Sequence, residues 1–392
     1  MRSWRLLLLC LAALVVAGAG ALVLTRLPGP TPPEDTPSPP TEAPPQRLVP
    51  TPTGEHRWTP VPADPVPSVP VPTSPPTVPP ALPTVELPWQ VPPDDRWRFG
   101  AVDRLSDLVS YDVAALGLGW ALTGVGDRPA PAGIELVYLV GVHGDTITDR
   151  TDGLAEFIRS RPGALWQVGN EPDVSWQANC TPEQYARVYG ALYRLIKAAD
   201  PSARVAAGAV SQPTPLRRRY LDAVLGAYRR EYGDAMPVDV WTVHGALVRE
   251  EPDQWGVGIP PGMDGQPGEL LEVQDNDRLD LFQQHLADFR VWMRDRGYRD
   301  RPLVVTEFSI LMPFSYGFYT PRVGAFMTGA FDWMLTATSP ETGYPADGNR
   351  LVQRWAWYAI AAADYPTGNL FHPESHQMTP LGRIYADYLA GR

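Results

Sequence analysis

Lysine is almost missing from this chain. Lys197 is the only one, and 33 basic against 44 acidic side chains leave a formal net charge of −11. A basic stripe able to track a phosphate backbone is therefore excluded, and no nucleic-acid partner is expected. Cysteine is nearly as scarce: Cys10 falls in the first apolar stretch and Cys180 stands alone in the globular part, so no disulfide can close there. Cys180 is expected to be a small buried residue. No G-x-G-x-x-G follows the first strand candidate, there is no G-x-S-x-G elbow, and Lys197 follows isoleucine rather than the glycine of a phosphate-binding loop. H-x-H and H-E-x-x-H spacings are absent too, so no metal and no cofactor is expected. No period of 20–50 residues recurs, which argues against a solenoid.

Proline is abundant, and its distribution divides the chain. Residues 1–26, MRSWRLLLLCLAALVVAGAGALVLTR, carry arginine ahead of an apolar run long enough to span a bilayer, which reads as a signal anchor or a signal peptide. Residues 27–94 hold more than half of the 46 prolines and can form neither a helix interior nor a strand ladder. They read as a disordered linker; in the polyproline conformation, at about 3.1 Å per residue, it would reach roughly 200 Å. Residues 95–392 have an ordinary globular mixture. The expected location is the cell surface, membrane-anchored by the N-terminal helix, or secreted.

From Trp97 onward, short apolar runs alternate with longer amphipathic ones. Strand candidates are 97–102, 117–122, 134–142, 164–169, 204–210, 238–243, 303–308 and 354–360. The clearest helix is TPEQYARVYGALYRLIKAAD, with Thr181 as cap, Pro182 at the first turn and Tyr185, Val188, Tyr189, Leu192 and Ile196 at helical spacing. Others are expected over LRRRYLDAVLGAYRREYG and from about residue 277 to 296. Eight strand-then-helix units predict an α/β fold, a (β/α)8 TIM barrel, with a doubly wound open sheet as the alternative.

In such a barrel the loops after the strands' C-terminal ends carry the chemistry. His143 and Asp145 follow the third strand, Asn170 and Glu171 the fourth, and His244 the sixth, while Glu307 closes the seventh. Alternation places Val240, Thr242 and His244 on one face and Leu303, Val305 and Glu307 on another, so His244 and Glu307 are expected to point into the barrel. Two carboxyl groups across one cleft are the equipment of glycoside hydrolysis, about 5–5.5 Å apart for retention and about 6.5–9.5 Å for inversion.

Asn170-Glu171-Pro172, Thr306-Glu307-Phe308, His244 and Trp357 in these positions resemble the clan A glycoside hydrolase superfamily of retaining (β/α)8 enzymes. The resemblance covers residues 97–392. It implies that Glu171 is the general acid/base, Glu307 the nucleophile and Asn170 a donor to the sugar's 2-hydroxyl, with His244 beside the nucleophile and Trp357 as the sugar's floor. It also implies an arginine near the end of strand two. GLGWALTG has none, and Arg354 is the substitute considered. A raised Glu171 pKa beside an ionised Glu307 is the matching expectation. With 13 tryptophans available to stack on sugar rings, Trp176 and Trp255 are further candidate contacts, and His143 a weaker one. The expected activity is hydrolysis of a β-linked poly- or oligosaccharide, the alternative being a non-catalytic carbohydrate-binding barrel at the cell surface.

Overall fold

The computed structural model describes Trp89, residues 91–149 and residues 152–392, together with a two-residue strand, Val69–Pro70. The expected apolar segment and nearly all of the proline-rich segment lie outside the described residues. Among the described residues, no helix is long and apolar enough to cross a membrane.

Eight strands close into a parallel barrel in chain order: β1 (Phe99–Val102), β2 (Trp120–Gly124), β3 (Glu135–Val140), β4 (Leu165–Asn170), β5 (Arg204–Val210), β6 (Val240–His244), β7 (Leu303–Phe308) and β8 (Arg354–Trp357), with β8 pairing back onto β1. Helices α1 (Leu154–Arg159), α2 (Pro182–Ala199), α3 (Pro215–Tyr232), α4 (Leu279–Asp295), α5 (Thr320–Thr336) and α6 (Pro380–Ala390) follow β3 to β8 in turn. The expectation of eight helices fails at the first two crossovers. Single 3-10 turns, Leu108–Ser110 and Val113–Leu116, follow β1, and no helix follows β2. Gly126, Pro129, Pro131 and Gly133 in the second crossover explain the latter, since they suit turns and interrupt a helix.

Local chemistry accounts for the long helices. The Thr181 side chain accepts from the Gln184 amide while Gln184 reaches back to the Thr181 amide, a complete capping box with Pro182 in the first turn. Buried Tyr185, Val188, Tyr189, Leu192 and Ile196 then form the stripe that α2 lays on the strands.

Two apolar layers result. Inside the barrel, Val102, Leu122, Val137, Leu165, Ala206, Val240, Val304 and Ala356 pack around Trp120, and outside it the opposite strand faces meet the helices. Trp120 fills the space beside Gly100, where a Cβ would stand 2.4 Å from the indole. The inner layer corrects the alternation expected for β7. Val304 faces inward while Leu303 and Val305 face the helices. Glu307 reaches the mouth because the register slips between Val305 and Glu307, which resets the parity at the end of the strand.

The mouth's geometry begins at a second close approach. The Tyr185 hydroxyl donates to the Val168 carbonyl at 2.8 Å and accepts from the Gly208 amide, which ties α2 to β4 and β5. A Cβ at Gly208 would lie 2.1 Å from the Val168 oxygen. Gly208→Ala therefore displaces main chain, and a loss of about 1–3 kcal/mol or more is expected in urea unfolding. A variant as stable as the parent would show that β4 and β5 separate freely here.

Candidate active site

The segment Trp166-Gln167-Val168-Gly169-Asn170-Glu171-Pro172 runs from strand to turn. Gly169 takes φ +77° and Glu171 takes φ +44°. A residue before proline prefers extended backbone, and a left-handed non-glycine residue is strained, so Glu171 is held by its surroundings. Its amide donates to the Ala209 carbonyl at 3.0 Å and its carbonyl accepts from Val174 at 3.1 Å. Asn170 sits beside Ala209 in register, and its Oδ1 is buried without a hydrogen-bond partner among the described residues.

These constraints aim Glu171 at His244. His244 Nδ1 lies 2.9 Å from Glu171 Oε1, and Nε2 lies 3.7 Å from Glu307 Oε1, so one buried imidazole separates the two carboxylates. Glu307 is anchored beside it through its carbonyl, which accepts from Gly245 at 2.7 Å.

Burial pushes the Glu307 carboxyl up to about 7, and Glu171 adds to this, while His244 and Arg104 act against it. His244 is raised too: burial opposes its charge, but Glu307 and the bond to Glu171 outweigh that cost. Burial thus works against the ionised Glu307 that the sequence led one to expect: its side chain keeps only 18% of its exposure, and water solvates the anion poorly.

Arg104, in the loop after β1, is the arginine that acts on Glu307. It hydrogen-bonds Tyr358 and lies 3.6 Å from Asp364. Tyr358 belongs to the barrel's inner layer, and its hydroxyl is raised by burial and by Glu307. Its ring meets Tyr365 edge to face at 5.9 Å. None of these four was singled out from the sequence. The available signal was their place, directly after strands β1 and β8.

Several expected contacts lie elsewhere. Arg354 is the first residue of β8, at the barrel's other end, where it bonds Glu135 at 3.1 and 2.8 Å. Trp357 faces the helices, fully buried, with Phe308 at right angles 5.1 Å away and its indole N–H on the Gly368 carbonyl. It is no floor for a sugar, because Arg354, Ala356 and Tyr358 own the inward face. His143 is exposed on a short hairpin paired with Thr146, and Asp145 pairs with Arg187 at 3.3 Å. Trp176 is 42% exposed in the loop after β4, whereas Trp255 is half-buried against the outer apolar layer. Cys180 is buried as expected, and burial pushes its thiol up to about 12.

A buried ion triad underlies the mouth. Arg217 on α3 lies 3.0 Å from Asp173 and 2.6 Å from Glu250, all three without side-chain exposure. Asp173 also accepts from the Ser211 amide and hydroxyl, Glu250 accepts from Gln212 and Thr214, and Arg217 donates to the Gly258 carbonyl. The loops after β4, β5 and β6 are thereby joined through one guanidinium.

No known protein family matches this sequence, and no curated protein is similar to it. Among solved structures, a GH128 (subgroup II) endo-beta-1,3-glucanase from Sorangium cellulosum is 16% identical, covering 74% of this chain and 98% of its own at a TM-score of 0.48. A GH128 (subgroup I) endo-beta-1,3-glucanase from Amycolatopsis mediterranei, in complex with laminaritriose, is 18% identical, covering 74% and 99% at 0.48. A monomeric beta-xylosidase from Caulobacter crescentus CB15 is 16% identical, covering 76% and 68% at 0.48. Likeness at this level carries no substrate and no residue role across to this chain.

The raised carboxyl sets a sign for stability. With its native value near 7 and its ordinary value at 4.5, Glu307 holds its proton more tightly when folded, so its ionisation costs the native state stability as pH rises between the two. Glu307→Gln, uncharged throughout, is expected to raise the melting temperature relative to the parent at pH 8 and to change it little at pH 4. An equal difference at both values would remove the burial argument.

Proposed function

We propose that the barrel is a retaining glycoside hydrolase of the clan A type, acting outside the cytoplasm on a β-linked poly- or oligosaccharide, with residues 1–26 as its membrane anchor or export signal. The observation that supports this best is the pair Glu171 and Glu307 on opposite nitrogens of one buried imidazole, at the strands' C-terminal end. The Glu307 carboxylate attacks the anomeric carbon while Glu171 gives its proton to the departing glycosidic oxygen. Water then adds to the glycosyl ester, Glu171 taking its proton, and Glu307 is released. His244 holds Glu171 in place and faces Glu307 with a charge that favours the anion.

One observation favours the opposite division of roles. A carboxyl near 7 suits a proton donor, and Glu307 is the group so raised. A slow fluorinated glycoside separates the two readings, since the labelled peptide contains Glu307 in the first and Glu171 in the second.

Hydrolysis of a panel of β-glucans, mannans and xylans by the full chain tests the class. Glu171→Ala and Glu307→Ala are each expected to lower activity by orders of magnitude, and the anomer of the first product reports retention. Undiminished activity in either variant would sink the two-carboxylate assignment, and glycan binding without turnover would favour a non-catalytic barrel.

Arg104 supplies a further test through pH. If Glu307 attacks as the anion, kcat/KM falls tenfold per unit below about 7, the value of the free carboxyl. Arg104 lowers that value, so Arg104→Met should move the acidic limb to higher pH, whereas a limb that stays put means that Arg104 does not support the nucleophile.

A further inference from the structure

Exposed aromatic rings are unevenly placed on this molecule. Of the eight large apolar side chains exposed among the described residues, three lie within residues 314–319 of the crossover after β7: Phe314 at 41%, Tyr316 at 42% and Tyr319 at 62%. Single exposed rings are ordinary, whereas three on one short segment form a patch that calls for a partner. The segment follows Glu307 closely. Phe314 comes seven residues later, so even fully extended chain keeps it within about 25 Å of that residue.

The patch is held still. Leu311 packs on the barrel's inner layer, as Tyr365 does; its amide donates to Asn276 Oδ1 at 3.0 Å, and the Met312 carbonyl accepts from Thr367 Oγ1 at 2.7 Å. Gln274 donates to the Tyr316 carbonyl at 3.0 Å. Phe318 is buried beneath the Arg322 guanidinium, 4.1 Å from its ring, and Arg322 donates to Asp277 at 2.6 Å. The crossover after β7 is thus fastened to those after β6 and β8, and its rings are presented without the ordering cost that a mobile loop incurs on binding.

Charge says what the rings would meet. Residues Phe308 to Pro321 include no charged side chain, in a protein where 20% are charged, so the patch offers nothing to an ionic partner. Tyrosine joins an apolar face to a hydroxyl edge, and a neutral sugar ring matches it, with C–H groups for the face and hydroxyls for the edge.

We propose that Phe314, Tyr316 and Tyr319 form a platform for a neutral polysaccharide, holding sugar units of the chain beyond those at Glu171 and Glu307. The inference rests on the reading of the mouth as a glycan site, and it makes the substrate a polymer rather than a short oligosaccharide.

The test is electrophoresis in native gels cast with laminarin, mixed-linkage β-glucan, glucomannan or arabinoxylan, using the full chain with Glu307→Gln to prevent turnover. At least one of the four is expected to retard the protein. Tyr316→Ala with Tyr319→Ala should raise the dissociation constant read from that retardation about tenfold, as the loss of two stacked rings implies. Both side chains are exposed, so the melting temperature should match the parent's; Phe314→Ala alone, with a loss in the same direction, serves should the pair destabilise the fold. With Glu307 intact, the tyrosine pair should lower kcat/KM on that polysaccharide and leave it unchanged on the corresponding p-nitrophenyl β-glycoside. Tyrosine-dependent retardation without hydrolysis by the intact chain would end the catalytic reading and keep the platform. Equal retardation with and without the two tyrosines, or none by any of the four polysaccharides, overturns the platform whether or not the chain hydrolyses glycans. So does self-association that the tyrosine pair abolishes, which would make the occupant a second copy of the chain.

Discussion

A single imidazole, closed off from water and set between two glutamates, is the constraint around which the mouth is organised. His244 approaches Glu171 at 2.9 Å and Glu307 at 3.7 Å, so the charges of His244 and Glu307 are coupled across one buried ring. Burial opposes charge on the histidine and on Glu307 alike, yet each favours the charged form of the other. The native state therefore holds an arrangement that costs stability near neutral pH, and such costs are common where folds carry chemistry.

That arrangement needs a rigid support, and the barrel supplies it in two ways. Trp120 fills the inner layer against Gly100, and the Tyr185 hydroxyl draws β4 and β5 together over Gly208. Above them, Arg217 joins Asp173 to Glu250, so the turn that strains Glu171 is tied to the loops after β5 and β6. A buried triad is weak support for net stability, but removing one partner would strand the others without water. Its consequence here is placement of the Glu171 backbone.

The strands were legible because each is an apolar run bounded by turn residues, and α2 because cap, proline and stripe agree. Asn-Glu-Pro and Thr-Glu-Phe were legible for a different reason: a charged residue directly after a buried strand has few structural uses. The miss at Trp357 has a definite cause. In Arg354-Trp355-Ala356-Trp357-Tyr358, alternation defines two faces without saying which is inward. Tryptophan at 355 and 357 cannot share the interior with Trp120, so Ala356 and Tyr358 take it. For Glu307 the inward placement was right, but the route was a register slip that no periodicity displays.

Composition and local order alone determined the parallel barrel, the strand ends that hold Asn170, Glu171, His244 and Glu307, and the burial of Cys180. Each follows from short-range physics, the period of a strand and the cost of a buried charge. Only the tertiary structure decided that both glutamates meet one histidine, that Arg104 and Tyr358 border Glu307 while Arg354 and Trp357 do not, and that burial raises the Glu307 carboxyl. Those outcomes depend on closure of the barrel, which brings residues from opposite ends of the chain within a few bond lengths and sets which of them lose their water.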